Sequence, residues 1–258
     1  MSRFALIAID GTDSEDIQRR LIRTTHVKQF YDEFSAEPGL KCYLHGPRGA
    51  FNADGTSAIL RGGIDMARSM HVMASNRGNG DEIKLCLIGW SRGAMIAINI
   101  ARHLSGSIPV HFMALLDTVD MYIGMSVGNI ENTANVVHAK RHGWIGSRWF
   151  SMAEDHTPDI AERTSRGGRQ YRSPRTLNYD HRFDYQFSPG TANYYQRYFL
   201  TTHGGMGGVL DSDRPSGLTE DTSAFRHSVA LRNARQHERE VYVWIKEAAQ
   251  RSGVRFSS

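Results

Sequence analysis

Only two cysteines, Cys42 and Cys86, occur in the 258 residues. Both lie in apolar, strand-like surroundings, where a free thiol behaves as a small core residue. A disulfide framework is therefore not expected. Long hydrophobic runs are also missing. The first apolar run, Phe4-Ala5-Leu6-Ile7-Ala8-Ile9, is too short for a signal-peptide core and has no cleavage site after it. No segment approaches the roughly 20 apolar residues of a membrane span. The chain reads as soluble and made in the cytosol, with export by a signal-independent machine left open. Lys and Arg form no block, no RNA- or DNA-binding motif is present, and the net charge is only +4. Nucleic acid is not an expected partner. Internal repeats, low-complexity tracts and linker-like boundaries are absent too, which favours one domain over residues 1–258.

What is present is an alternation. Residues 4–9 read as a buried strand ending at Asp10-Gly11-Thr12. Residues 14–35 have helical spacing, with Ser14 as N-cap and Ile17, Leu21, Val27 and Phe30 apolar among charges. A short strand at 42–44 leads into the loop signal Gly46-Pro47-Arg48-Gly49. Residues 57–75 are helix-like, Gly78-Asn79-Gly80-Asp81 makes a turn, and 83–88 is a strand. A helix runs to about residue 104, and a strand over 108–116 stops at Asp117. Such alternation calls for a mostly parallel sheet covered on both faces, an α/β architecture. From about 120 to 193 the spacing is irregular, and this stretch reads as a cap insertion. A strand candidate at 194–202 follows, closing on His203. An amphipathic helix or two over 223–252 then presents Val241, Trp244, Ile245 and Ala248 on one face.

One corner carries chemistry. The strand at 83–88 ends in Gly89-Trp90-Ser91-Arg92-Gly93, and a helical pattern starts at once. Gly-x-Ser-x-Gly between a strand and a helix has the form of a nucleophile elbow. The turn leaves no room for a side chain at either flank, and it lifts the serine hydroxyl above the carboxyl edge of the sheet. The amide of Arg92 would be one oxyanion donor. Serine needs a base, and the base needs an orienting acid, in the chain order Ser, Asp or Glu, His. Asp117 ends the next strand, so it shares the sheet edge with Ser91. His203 stands at a strand end before a glycine-rich loop. His138, His142 and His156 fall in the irregular stretch, and His227 and His237 in the terminal helical region. Each candidate also has a plainer reading: a buried serine in a glycine corner, a turn aspartate, a loop histidine.

Several pieces together resemble the Tle-type phospholipase effectors of type VI secretion and their α/β-hydrolase relatives of unknown function, the DUF2235 family. They are Asp10-Gly11-Thr12 after a strand, Gly80-Asp81-Glu82-Ile83 entering the elbow strand, and Gly89-Trp90-Ser91-Arg92-Gly93-Ala94 where the family has Gly-Phe-Ser-Arg-Gly-Ala. Asp117-Thr118-Val119, Asn135-Val136-Val137-His138-Ala139 and His203-Gly204-Gly205-Met206-Gly207-Gly208 follow in order. The resemblance implies an α/β-hydrolase fold, a triad of Ser91, Asp117 and His203, and a second oxyanion donor near Gly11 or Thr12. The chain departs from the family pattern at Gly205, where the family carries an aspartate. It also lacks the extra membrane-docking region of the larger effectors.

The cap mixes Arg141, Arg148, Arg169, Arg172 and Arg175 with Trp144, Trp149, Phe150, Tyr171, Tyr185 and Phe187. That mixture suits peripheral contact with an anionic membrane. An ordinary packed cap is the plainer reading, because no amphipathic helix stands out in it. The expectation is a serine hydrolase of carboxylic esters, lipase- or phospholipase-like, acting on an ester or lipid substrate through an acyl-enzyme. The alternatives are a soluble esterase or other acyl hydrolase on a small substrate, and a non-catalytic binding member of the fold. No cofactor is expected, and no His/Asp/Glu cluster has metal-ligand spacing.

Overall fold

A computed structural model of the chain describes residues 3–49, 53–77, 83–119, 132–141, 193–210 and 224–257. Its elements in chain order are β1 (Arg3–Ile9), α1 (Ser14–Leu21), α2 (His26–Glu33), β2 (Lys41–Leu44), α3 (Ala53–Arg77) and β3 (Ile83–Trp90). Then come α4 (Arg92–His103), β4 (Val110–Leu116), β5 (Thr133–Arg141), β6 (Asn193–Phe199), the short turn α5 (His203–Met206) and α6 (Ala224–Arg251). All six strands form one sheet in the order β2-β1-β3-β4-β5-β6, and every neighbouring pair is parallel. The protein is thus α/β with an all-parallel sheet, as the alternation of apolar runs and helical spacings requires.

A parallel sheet in which both faces are covered needs strands that are apolar at every position. β1 meets that demand: Ala5, Ile7 and Ile9 point to one face and Leu6 and Ala8 to the other, all without exposure. The first face packs on α3 and α4 through Leu60, Met70, Met95 and Ile98. The second packs on α2 and α6 through Val27, Phe30, Val241 and Ile245. Each such side chain, fully buried, contributes about 1.5–3 kcal/mol, so neither layer can be peeled away cheaply. Cys42 and Cys86 are free thiols on β2 and β3. Among the described residues no helix is long and apolar enough to cross a membrane.

The structure corrects the expected elements in two places. The helix expected over 14–35 is broken in two. Ile22 adopts a left-handed conformation (φ 51°) and ends α1, and Thr25 opens α2 by accepting a hydrogen bond from the Lys28 amide. Ser14 is the first helical residue and not the cap, which is Asp13. The apolar spacing continues across the break, so spacing alone could not reveal it. The irregular stretch of 120–193 contains a regular nine-residue strand, β5, which pairs with β4 on one side and β6 on the other. Its His138, Lys140 and Arg141 are buried polar residues that mask the strand in the sequence. The rest of that stretch, 120–131 and 142–192, lies outside the described residues, and so does the turn at 78–81.

Strand order fixes where a ligand would sit. The chain passes from β1 to β2 on one side of β1 and returns to β3 on the other. The connections that leave the carboxyl ends of β1 and β3 therefore run to opposite sides, and the crevice between them is where open α/β sheets place their sites. Asp10-Gly11-Thr12 leaves β1 there, and Ser91 leaves β3 there.

Candidate active site

Ser91 sits between β3 and α4 with φ 59° and ψ −127°, a combination that non-glycine residues rarely adopt. The two glycines of the elbow explain how the chain reaches it. A Cβ on Gly89 would stand 2.4 Å from the Gly93 carbonyl oxygen, and one on Gly93 would stand 2.3 Å from the Ile9 carbonyl oxygen. One flank is thus closed by the helix and the other by the sheet. The Ser91 amide donates to Leu116 O at 2.9 Å, and its carbonyl accepts from the Val119 amide at 3.1 Å. These two bonds tie the elbow to both sides of Asp117.

Asp117 follows β4, is fully buried, and has a positive φ of 40°. Its Oδ2 accepts from His203 Nδ1 at 2.8 Å, and its Oδ1 accepts from the Arg141 amide at 3.3 Å. The Arg141 guanidinium is 3.8 Å from Oδ2. His203 comes from the far side of β5, at the start of α5. Thr202 caps that turn by accepting from the Gly205 amide at 3.1 Å. Because Nδ1 faces a carboxylate it must carry the proton, which leaves Nε2 unprotonated in the neutral ring and able to act as a base. The structure therefore brings Ser91, Asp117 and His203 to one edge of the sheet.

Trp90 is the brace that holds the histidine turn against the elbow. Its indole Nε1 donates to the His203 carbonyl at 3.2 Å, and its ring lies 5.4 Å from the imidazole, centroid to centroid. Gly207 lets the ring in: a Cβ there would stand 2.4 Å from Trp90 Cε2. No motif in the sequence marks Trp90 for this role. The only signal was a large aromatic beside an elbow serine and a chain of glycines after His203.

The oxyanion donors come out differently from expectation at one position. Arg92 occupies the first turn of α4, where an amide has no carbonyl partner within the helix and is free to point at a ligand. Gly11, in contrast, is excluded as a donor, because its amide donates to Asp10 Oδ1 at 2.8 Å. Asp10 is fully buried, and its Oδ2 accepts from Thr25 Oγ1, Gln18 Nε2 and Tyr43 OH. Burial raises its pKa against the pull of these bonds. The Asp10 carboxylate turns back on its own loop and takes the Gly11 amide, which the residue types alone could not announce. Thr12 remains as the candidate second donor.

Other histidines are placed elsewhere. His138 is buried on β5 between Thr118 Oγ1 and Tyr194 OH, each at 3.1 Å, and burial holds its pKa well below the ordinary value. His237 lies on α6 beside Glu240. His142 and His156 lie outside the described residues, as do the cap arginines and aromatics apart from Arg141, and the side chain of His227. Arg141, expected in the cap, ends β5 instead. Among the described residues no three His, Cys, Asp or Glu side chains form a group that could hold a metal ion.

His26 is a second residue that no sequence motif marks. It is buried at the start of α2, its amide donates to the Gly207 carbonyl at 2.8 Å, and its Nδ1 lies 3.1 Å from the Met206 carbonyl. It pins the turn that carries His203 from below.

No family model and no curated protein matches the chain. An uncharacterized protein from Pseudomonas aeruginosa, known by its crystal structure, is similar in fold, with a TM-score of 0.50 at 12% identity. The match covers 99% of this chain but only 46% of that one, so the chain spans about half the length of that structure. At this identity the likeness speaks for the α/β fold alone.

Proposed function

We propose that the chain is a serine hydrolase of the α/β-hydrolase type that cleaves carboxylic esters through an acyl-enzyme. The observation that carries the reading is the 2.8 Å bond from His203 Nδ1 to the buried Asp117 carboxylate, beside a serine held at φ 59° on a strand-to-helix corner. A solvated turn aspartate and a loop histidine would have no reason to meet there. In the reaction, His203 Nε2 takes the proton of Ser91 Oγ as the oxygen attacks the ester carbonyl. The oxyanion forms against the Arg92 amide and the Thr12 loop. Collapse expels the alcohol, which takes the proton from His203, and water repeats the sequence to release the acid.

The resemblance to the Tle-type family points to lipid esters as the substrate class. The departure at Gly205 has a local explanation. A Cβ at that position would stand 2.0 Å from Thr201 Oγ1, and that hydroxyl is itself bonded to the Ala234 carbonyl at 2.9 Å. Thr201 fills the space that an acidic side chain would need, and the Asp117–His203 pair is intact beside it. A fluorophosphonate probe should label wild type at one site, and Ser91→Ala should abolish the labelling while leaving the circular dichroism spectrum unchanged. Absence of labelling in wild type would refute the reading. With p-nitrophenyl esters of increasing acyl length, turnover that rises with chain length and with anionic vesicles marks a lipase. Turnover of short esters alone marks a soluble esterase.

A further inference from the structure

Arg92 has so far entered only through its backbone amide, yet its side chain is the less ordinary part. The residue is 3% exposed. Its guanidinium makes two hydrogen bonds, Nε to Thr12 Oγ1 at 2.7 Å and an Nη to the Gly49 carbonyl at 2.5 Å. Both acceptors are neutral, and no carboxylate pairs with it among the described residues. The nearest influence of opposite sign, Asp13, acts only at a distance, and burial lowers the pKa of the guanidinium. Removing a cation from water against neutral partners is unfavourable, so stability alone gives no reason to place it there. An aliphatic side chain would fill the space at less expense.

The three segments that meet at Arg92 are the loop after β1, the loop after β2 and the start of α4. The first two are already laced together. The Asp13 amide donates to the Pro47 carbonyl at 3.1 Å, and the Gly49 amide donates to Asp13 Oδ1 at 2.7 Å. Gly46 lies so close that a Cβ on it would stand 1.8 Å from the Gly11 carbonyl oxygen. Arg92 is the link from this pair of loops to the helix that begins just after the nucleophile. The planar guanidinium spans two acceptors at a fixed separation, which an ammonium on a flexible stem cannot do.

We infer that the Arg92 side chain is a positioning residue that fixes both halves of the oxyanion hole relative to each other: its amide is one donor, and its guanidinium holds the Thr12 loop that supplies the other. The inference rests on the hydrolase reading above and adds to it a reason for arginine at this position. Oxyanion donors act only when they are preorganised within a few tenths of an ångström, so loosening the Thr12 loop should slow the chemical step and leave substrate binding nearly unchanged.

The test compares wild type with Arg92→Met, Arg92→Lys, Thr12→Val and the Arg92→Met/Thr12→Val double variant, on p-nitrophenyl hexanoate. Arg92→Met and Thr12→Val are each expected to lower kcat about 100-fold, the loss typical of one oxyanion donor, with KM within about twofold. The double variant should fall no further than either single change, since both break one tie. Arg92→Lys should remain well below wild type because charge without the bridge does not suffice. Amide hydrogen exchange of the segment 11–14 should quicken in Arg92→Met. A rise in KM at unchanged kcat, full activity in Arg92→Lys, additive losses, or unaltered exchange would each overturn the inference. Thr12→Val covers the case in which an Arg92 variant fails to fold. A wild type that does not react with fluorophosphonate sinks the hydrolase reading itself, whereas a reactive wild type with equally reactive Arg92→Met sinks only the positioning role.

Discussion

His26 makes the stability of this protein depend on pH, and the size of the effect follows from its surroundings. The imidazole is buried, with its Nδ1 donating to the Met206 carbonyl, and burial lowers its pKa from 6.5 to about 4. Between those values the unfolded chain binds a proton that the folded chain refuses, so protonation favours unfolding. The contribution is fully present above pH 6.5 and is lost as pH falls toward 4. The shift of about 2.5 units corresponds to about 3 kcal/mol over the whole window, of which about 2 kcal/mol is already lost at pH 5. The assay is urea denaturation of wild type and His26→Asn at half-unit steps from pH 4.5 to 7.5. Asparagine retains a donor for the Met206 carbonyl but does not titrate. Its own cost is therefore a constant offset, and the difference between the two curves isolates the histidine. Other groups, His138 among them, shift both curves alike. The wild-type advantage should shrink by about 2 kcal/mol between pH 7 and pH 5. Parallel curves across that interval would refute the claim that His26 is held neutral by the fold. Because His26 pins the turn that carries His203, activity should fade over the same acid range sooner in wild type than global unfolding alone accounts for.

Three further outcomes follow from single contacts. Asp117→Asn should lower kcat about 10⁴-fold with little change in KM, because the His203 Nδ1–H then loses its carboxylate and the ring its tautomer; steady-state kinetics would show it. Trp90→Phe removes the Nε1 bond to the His203 carbonyl while keeping an aromatic ring beside Gly207, so thermal unfolding should shift by the equivalent of about 1 kcal/mol, with a larger relative loss in kcat than in KM. Gly205→Asp, which introduces the acid of the family the sequence resembles, should destabilise the fold by about 1–3 kcal/mol from overpacking against Thr201. Thr201→Ala in the same chain should recover part of that loss in a urea titration.

The parts of the site that could be read from the sequence were those set by local pattern. A strand end followed by Gly-x-Ser-x-Gly and a helix locates Ser91, and the next strand end locates Asp117, because in a parallel sheet every strand ends on the same edge. What stayed hidden was set by buried polar side chains. β5 contains His138, Lys140 and Arg141, all buried, and so carried neither the unbroken apolar run of an inner strand nor a clean alternation. The break at residues 22–25 was hidden for the opposite reason, since Val27 and Phe30 continue the helical spacing of Ile17 and Leu21 on a second helix. Gly11 was misassigned because its amide is taken by the Asp10 side chain one residue before it, a bond that depends on backbone geometry and not on residue type.

β5 also accounts for how an acid and a base two strands apart can meet. Asp117 ends β4 and His203 follows β6, and the two are hydrogen-bonded although β5 lies between their strands. The end of β5 contributes to the pair instead of separating it. The Arg141 amide takes Asp117 Oδ1, leaving Oδ2 directed at His203, and a carboxylate fixed at both oxygens cannot rotate its second oxygen away. The Arg141 guanidinium, 3.8 Å from Oδ2, places a positive charge beside this fully buried carboxylate. The serine side is held in the same manner. Its amide and carbonyl are bonded to Leu116 and Val119, on either side of that aspartate, so any shift of Asp117 carries Ser91 with it. The proposed triad is therefore organised around the end of β4. The histidine arrives from beyond β6, on a turn secured by Trp90 on one side and His26 on the other. Such an arrangement puts the tolerance of the site in the histidine turn. Substitutions at Trp90, His26 and Gly207 should degrade activity gradually, whereas those at Asp117 should abolish it.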